Sequence, residues 1–307
     1  MSADSYIYES GVWKKVSDAY TYNGSAWNKV STIYYWNGSA WKESFSGGFV
    51  LNKTFNSGQT NNFNIATEAT AAGWDGSTII IANLTIPSGA YLGSSSTSTY
   101  SLETTSMVAG STVNLTLNSG GFLVGRGGTG GEGAGASVTT ASTGTTGGPA
   151  LNVISGITFN LTNNGTIGGG GGGGGGGNGG DDWFSNAGYQ GGPGGGGAGF
   201  GTGGVGTNNA NQSHMFSDPG GNGTHNSGGT GKQSTVKAGE FNNGSTGGTG
   251  GNGGSLGSTG NNGLNNGQGF IVTYQSGSPG GAAGVAINGW SRITVGTEGT
   301  ILGAKNN

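Results

Sequence analysis

Three sets of side chains in this sequence are of types that could react or ligate: the adjacent carboxylates Asp181 and Asp182, the imidazoles His214 and His225, and the lysines Lys232 and Lys237. Neither histidine has a partner at metal-ligand spacing, and with no cysteine there is no thiolate to complete a site. Neighbouring residues of an extended loop point apart, so Asp181 and Asp182 are not the paired acids of a hydrolase unless another carboxylate joins them. The metal role open to them is a Ca²⁺ site completed by carbonyls. Gly199 to Gly204 spells G-x-G-x-x-G, which a glycine-rich chain produces by chance and which here follows no strand–helix pattern. "GTGKQS" at 229–234 lacks the hydroxyl residue after Lys232 that a phosphate loop needs. No catalytic residue, metal or cofactor is expected, and the chain is not expected to be an enzyme.

The remaining chemistry is recognition. Trp183, Phe184, Tyr189, Met215, Phe216 and Phe241 stand in islands between glycine runs, together with Asp181, Asp182, His214, Lys232 and Lys237. Large aromatic groups displayed on loops of a stiff scaffold are the stuff of binding surfaces. The alternative for Trp183 and Phe184 is that they close the end of the glycine structure and keep water out.

Those loops need something to hold them. The chain has 307 residues, of which 76 are glycine, a quarter against a usual ~7%. Such a composition reads as disorder by default, yet charged residues are only 7%, aromatic residues reach 9% and the net charge is −3. Little in it repels the chain from itself, so an ordered structure is expected. The absence of basic clusters excludes a nucleic-acid surface. No stretch is apolar enough to span a membrane, and the N-terminus reads as lacking a secretion signal.

The glycines are densest at 168–177, ten in a row. Fixing a backbone costs ~1–2 kcal/mol per residue, and these residues bury no side chain in return. A polyproline-II-like helix, with three residues per turn and ~3.1 Å per residue, points its N–H and C=O groups outward. Side by side, such helices bond laterally, and without Cβ atoms they approach closely. A glycine-rich bundle is therefore expected over 125–290, with the islands as loops at its ends.

Upstream, residues 6–45 repeat with a period of 14 and place tryptophans at 13, 27 and 41. Asn-Gly at 23–24 and 37–38, flanked by aromatic residues, signals tight hairpins. Tyr8 and Trp13, Tyr22 and Trp27, and Trp36 and Trp41 flank the three turns. They either form a small core of stacked hairpins or stay exposed as a docking surface or sugar platform.

A second pattern occurs at 84–93, 115–125, 159–168 and 293–303: alternating apolar residues, a turn ending in glycine, then an apolar residue or pair and glycine. Alternation puts the apolar side chains on one strand face, and such units must stack to cover it. The fold class is all-β plus irregular structure: hairpin repeats over 1–46, a β-roll or solenoid-like unit over 47–124, the glycine bundle over 125–290, and C-terminal strands over 291–307 returning to the β-core. Essentially no α-helix is expected, because no window carries helical apolar spacing.

"GRGGTGG" at 125–131, "TNNGTIGGGGGGGGGG" at 162–177 and "AAGWDGSTIIIANLTIPSGAYLGSS" at 71–95 resemble the glycine-rich adhesins found at the tail-fibre tips of tailed bacteriophages. The resemblance spans roughly 70–303 and leaves the Trp repeats outside it. It implies polyglycine II helices packed as a sandwich, with distal loops that bind a bacterial surface receptor such as a glycan, lipopolysaccharide or outer-membrane protein. Asp181, Asp182, Trp183, Phe184, Tyr189, His214, Met215, Phe216, Lys232, Lys237 and Phe241 are then the receptor-binding candidates. Tyr8, Trp13, Tyr22, Trp27, Trp36 and Trp41 are the candidates for attachment to other tail or fibre proteins. The implied location is the virion tail, and a homotrimer is open. The competing readings are a fibre spacer without receptor contact, an ice-binding protein and a depolymerase.

Overall fold

A computed structural model describes residues 6–9, 11–16, 19–30, 32–46, 48–56, 59–134, 140–182, 191–206, 215–236, 246–267, 271–274 and 276–307. Its centre is a solenoid of five rungs and three faces. Each face is a five-stranded sheet in which every pairing is parallel. The first rung is Phe49–Thr54, Gln59–Asn61 and Phe63–Asn64, and the second is Ile80–Ile86, Tyr91–Gly93 and Leu102–Glu103. Thr112–Leu117, Phe122–Val124 and Leu151–Asn152 make the third, and Thr158–Asn163, Thr166–Gly168 and Ile287–Asn288 the fourth. The fifth is Ile293–Thr297, Thr300–Leu302 and Lys305–Asn306.

The alternation seen in the sequence sets the register. Leu84, Leu115 and Leu161 stack in the core along the first face, Leu92, Leu123 and Ile167 along the second, and Leu102, Leu151 and Ile287 along the third. Burying each such side chain stabilises the fold by roughly 1.5–3 kcal/mol, and a one-residue slip would turn the whole set outward. On the outer side of the first face, Asn83 Nδ2 donates to Asn52 Oδ1 at 2.9 Å. Asn114 donates likewise to Asn83, and Asn160 to Asn114, each at 2.8 Å. This amide ladder ties four rungs together in one register.

The all-β class expected from the sequence holds, with one short α-helix among the described residues. Ile65–Ala71 begins at Asn64, whose Oδ1 accepts from the Thr67 N–H at 2.9 Å, and it buries Ile65, Ala66 and Ala69 in the solenoid core beside Phe55 and Phe63. At seven residues it is held by its cap and by burial, since an isolated helix that short is unstable. The stretch 125–290, read from sequence as one glycine-rich region, is interrupted: Leu151–Gly168 and Ile287–Asn288 are solenoid strands. The glycine segments are therefore two excursions, 125–150 and 169–286, each leaving the second face and returning at the third.

In the excursions the backbone bonds laterally. Along 170–178 the donated hydrogen bonds go to three different segments in turn, with a repeat of three. Gly170, Gly173 and Gly176 donate to Gly148, Thr145 and Ser142; Gly171, Gly174 and Gly177 to Ala198, Gly195 and Gly192; Gly172, Gly175 and Asn178 to Ser258, Asn261 and Leu264. The carbonyls accept from three further segments on the same period, from Gly128 and Gly131, from Gly254, Gly251 and Gly248, and from Gly284, Gly281 and Ser278. The ten-glycine run is thus a rod enclosed by six neighbours of the same chain, with its N–H and C=O groups satisfied.

The N-terminal part forms three antiparallel hairpins: Tyr6–Glu9 with Val12–Lys15, Ala19–Tyr22 with Trp27–Val30, and Thr32–Trp36 with Trp41–Ser46. In the second, Asn23 Oδ1 accepts from the N–H groups of Ser25 and Ala26 at 3.0 and 2.9 Å, and Gly24 takes the positive φ of 97° that the turn demands. Asn37 and Gly38 repeat the arrangement in the third.

Candidate functional site

The lateral hydrogen bonds give each glycine segment a direction. Segments 125–134, 169–178, 199–206, 228–234 and 257–264 run away from the solenoid; 142–148, 191–198, 217–223, 247–254 and 278–284 run back towards it. At the solenoid end the links are tight. Ala198 passes directly into Gly199, the Thr224 N–H closes on Ser227 O at 2.8 Å, and the Ser258 N–H closes on Ser255 O at 3.0 Å. At the far end the links are long: 135–141, 179–190, 207–216, 235–246 and 265–277 all begin and end there.

By position in the chain the expected recognition residues fall in these far links, except Lys232, which lies on the rod 228–234. Asp181 and Asp182 lie in the strand Gly180–Asp182, which pairs antiparallel with Ile271–Tyr274. Met215–Phe216 pairs antiparallel with Thr235–Val236. Lys232 is exposed near the outer end of its rod, its N–H bonded to Pro193 O at 2.9 Å and its carbonyl to the Gly250 N–H at 2.8 Å. Trp183, Phe184, Tyr189, His214, Lys237 and Phe241 lie outside the described residues. Sequence reasoning missed the link 265–277, whose strand partners Asp181 and Asp182; its signal was the short apolar run Ile271–Tyr274 amid glycine and asparagine.

The roots of these links carry an unusual polar burden. Asn178, which ends the central rod, and Ser217, which begins a returning one, are both buried, and among the described residues neither the Asn178 amide atoms nor Ser217 Oγ has a hydrogen-bond partner. Each such group costs roughly 1–3 kcal/mol, so this end of the bundle is less well compensated than its interior. Formal charge is sparse, and among the described residues no three His, Asp or Glu side chains are placed to hold a metal ion. No helix among them is long and apolar enough to cross a membrane.

The other histidine belongs to the opposite end. His225 stacks on Tyr91 with ring centroids 5.8 Å apart and planes 3° apart, and meets Phe122 edge-on at 4.7 Å. Phe200 packs on Tyr91 at 5.2 Å from a left-handed backbone with φ 64°. These rings join the tight turns of the bundle to the second solenoid face, beside Val124, Ala198 and Leu256.

The hairpin aromatics face outward. Tyr8, Tyr22, Trp27, Trp36 and Trp41 are between 53% and 70% exposed, so they form no core of stacked hairpins. Tyr22 and Trp27 pair across their strands at 5.2 Å, Trp36 and Trp41 at 5.7 Å, and Trp13 holds the same register opposite Tyr8. The second and third turns thus each display one cross-strand aromatic pair.

Residues 51–306 match the family model described as phage tail fibre adhesin Gp38. Among solved structures, the chain is similar to one from bacteriophage S16, the gp37-gp38 adhesin tip complex of the long tail fibre. The identity is 25% over 88% of this chain and 86% of that one, with a TM-score of 0.51. No curated protein sequence matches the chain.

Proposed function

Because the chain belongs to the phage tail fibre adhesin Gp38 family, we propose that it is carried at the tip of a tail fibre and binds a host-cell surface receptor through the links at the far end of its glycine bundle. The receptor is a bacterial glycan, lipopolysaccharide or outer-membrane protein. The observation that carries this reading is the asymmetry of the bundle: tight turns at the solenoid, and every long, side-chain-rich link at the opposite end. Binding residues sit on loops because a rigid scaffold holds them while leaving their side chains free to vary. The three-residue period of the lateral hydrogen bonds supports polyglycine II as the rod conformation.

The hairpins are assigned to attachment. They precede the family match, which begins at residue 51, and they display Tyr8, Tyr22, Trp27, Trp36 and Trp41 without burying them. The similar solved adhesin was determined in complex with a second tail-fibre protein, and a tail-fibre protein is the partner proposed here. Trp183→Ala and Phe241→Ala, made separately in the full chain, test the receptor assignment by adsorption of purified protein to susceptible cells. At least one should weaken binding by tenfold or more with unchanged thermal unfolding; full binding by both variants would remove these links from the receptor site.

A further inference from the structure

Where the glycine bundle meets the third solenoid face there is a cleft of about 210 Å³ that neither receptor binding nor fibre attachment uses. The residues that line it include Tyr100, Thr146, Pro149, Val285, Asn288 and Asn306. Pro149 and Val285 supply an apolar wall, and Tyr100 an aromatic ring. Asn288 donates its Nδ2 to Asn152 Oδ1 at 2.8 Å, which leaves its own Oδ1 to accept. Asn306 stands one rung further along in the same register. Its amide, the Tyr100 hydroxyl and Thr146 Oγ1 make no hydrogen bond among the described residues.

These groups define a ligand. None of them is charged, so an anion or cation would lose its hydration without gaining a counter-charge. A purely apolar molecule would offer no partner to the Tyr100 and Thr146 hydroxyls, the Asn306 amide or Asn288 Oδ1. The volume is smaller than the ~300–1,000 Å³ of drug-sized pockets. An aromatic ring beside apolar surface, with hydroxyl and amide groups around it, suits a compact molecule with one C–H face and a rim of hydroxyls. We propose that this cleft binds a single neutral sugar ring, as a saccharide site at the solenoid end of the bundle, separate from the far links and independent of what those links bind.

The test is saturation-transfer NMR on the full chain with glucose, galactose, N-acetylglucosamine and N-acetylgalactosamine, and glucuronate as the charged control. At least one neutral sugar should bind in the ~millimolar range without competition from glucuronate, as few contacts allow. Tyr100→Ala should weaken that binding roughly tenfold, the scale of losing one aromatic contact. Because Tyr100 is partly buried, Asn306→Ala and Thr146→Val, both at exposed positions, provide variants that keep the fold, and each should weaken binding several-fold. Trp183→Ala and Phe241→Ala should leave it unchanged. No signal from any of the four neutral sugars would overturn the proposal. So would a signal that survives both Asn306→Ala and Thr146→Val, or one that disappears in Trp183→Ala or Phe241→Ala.

Discussion

Gly173 lies so close to the carbonyl of Thr129 that a methyl group on its Cα would overlap that oxygen outright. The same holds for Gly174 against Gly251 and for Gly176 against Glu132, in each case against backbone that cannot rotate away. Glycine is therefore required in the central rod by the distance between rods, a demand of packing and not of turn geometry.

Gly173→Ala should destabilise the protein by more than about 3 kcal/mol, beyond the usual range for an overpacked core, because six neighbouring rods would have to shift together. Thr202→Ala, at an exposed position on a neighbouring rod, should stay within about 0.5 kcal/mol. Denaturant unfolding of the two variants beside the parent chain checks the contrast.

Leu115→Ala removes the middle of the first-face leucine stack, between Leu84 and Leu161. A loss of roughly 2–5 kcal/mol is expected in thermal or denaturant unfolding. Asn114→Ala breaks the amide ladder on the other side of the same strand and leaves Asn83 Oδ1 and Asn160 Nδ2 without their partner. Because the ladder is only part-buried, the cost should be nearer 1 kcal/mol.

Asp75 ties the turn that leads into the second rung. Its Oδ1 accepts from the N–H groups of Thr78 and Ser77, each at 2.9 Å, and these bonds lower its pKa from 3.8 to about 2. A carboxyl held below its unfolded value stabilises the fold fully above about pH 4 and loses that contribution as the pH falls through about 2. Asp75→Asn should flatten this part of the acid limb of unfolding and slightly lower stability at pH 7, since the amide oxygen still accepts but carries no charge to strengthen the bonds. An unaltered acid limb in that variant would show that Asp75 is not its source.

The attachment assignment has its own test. Trp27→Ser and Trp41→Ser, together, should abolish incorporation of the protein into virions while the purified chain keeps its unfolding temperature, because both rings are exposed at 70% and 67%. Normal incorporation would mean that the hairpins serve something other than the fibre.

Much of this was legible in the sequence where the pattern is local. Four of the five rungs show on their first two faces as alternation followed by a glycine turn. The first rung, Phe49–Asn61, keeps a glycine in the pattern, Gly58, but follows it with the polar Gln59, Thr60 and Asn61 in place of the apolar residue and glycine of the others, and so does not show as a repeat of them. The ten-glycine run announced a rod because nothing else would order it. The pairing of distant segments was hidden: Leu151–Asn152 closes the rung begun at Thr112, and Ile287–Asn288 the rung begun at Thr158, across whole glycine excursions. Helix Ile65–Ala71 escaped because seven residues hold too few apolar positions to show a helical period. The exposure of the hairpin aromatics was equally hidden, since the spacing of Tyr22 and Trp27 suits a core and a docking face alike.

The most direct measurement replaces the far links 135–141, 179–190, 207–216, 235–246 and 265–277 with short Gly-Ser connectors while the rods and solenoid stay intact, and then compares adsorption of the purified protein to susceptible cells with that of the parent chain. Loss of adsorption with retained thermal unfolding is the expected result. Adsorption at the parent level by the folded variant would contradict the assignment of receptor binding to this end of the bundle.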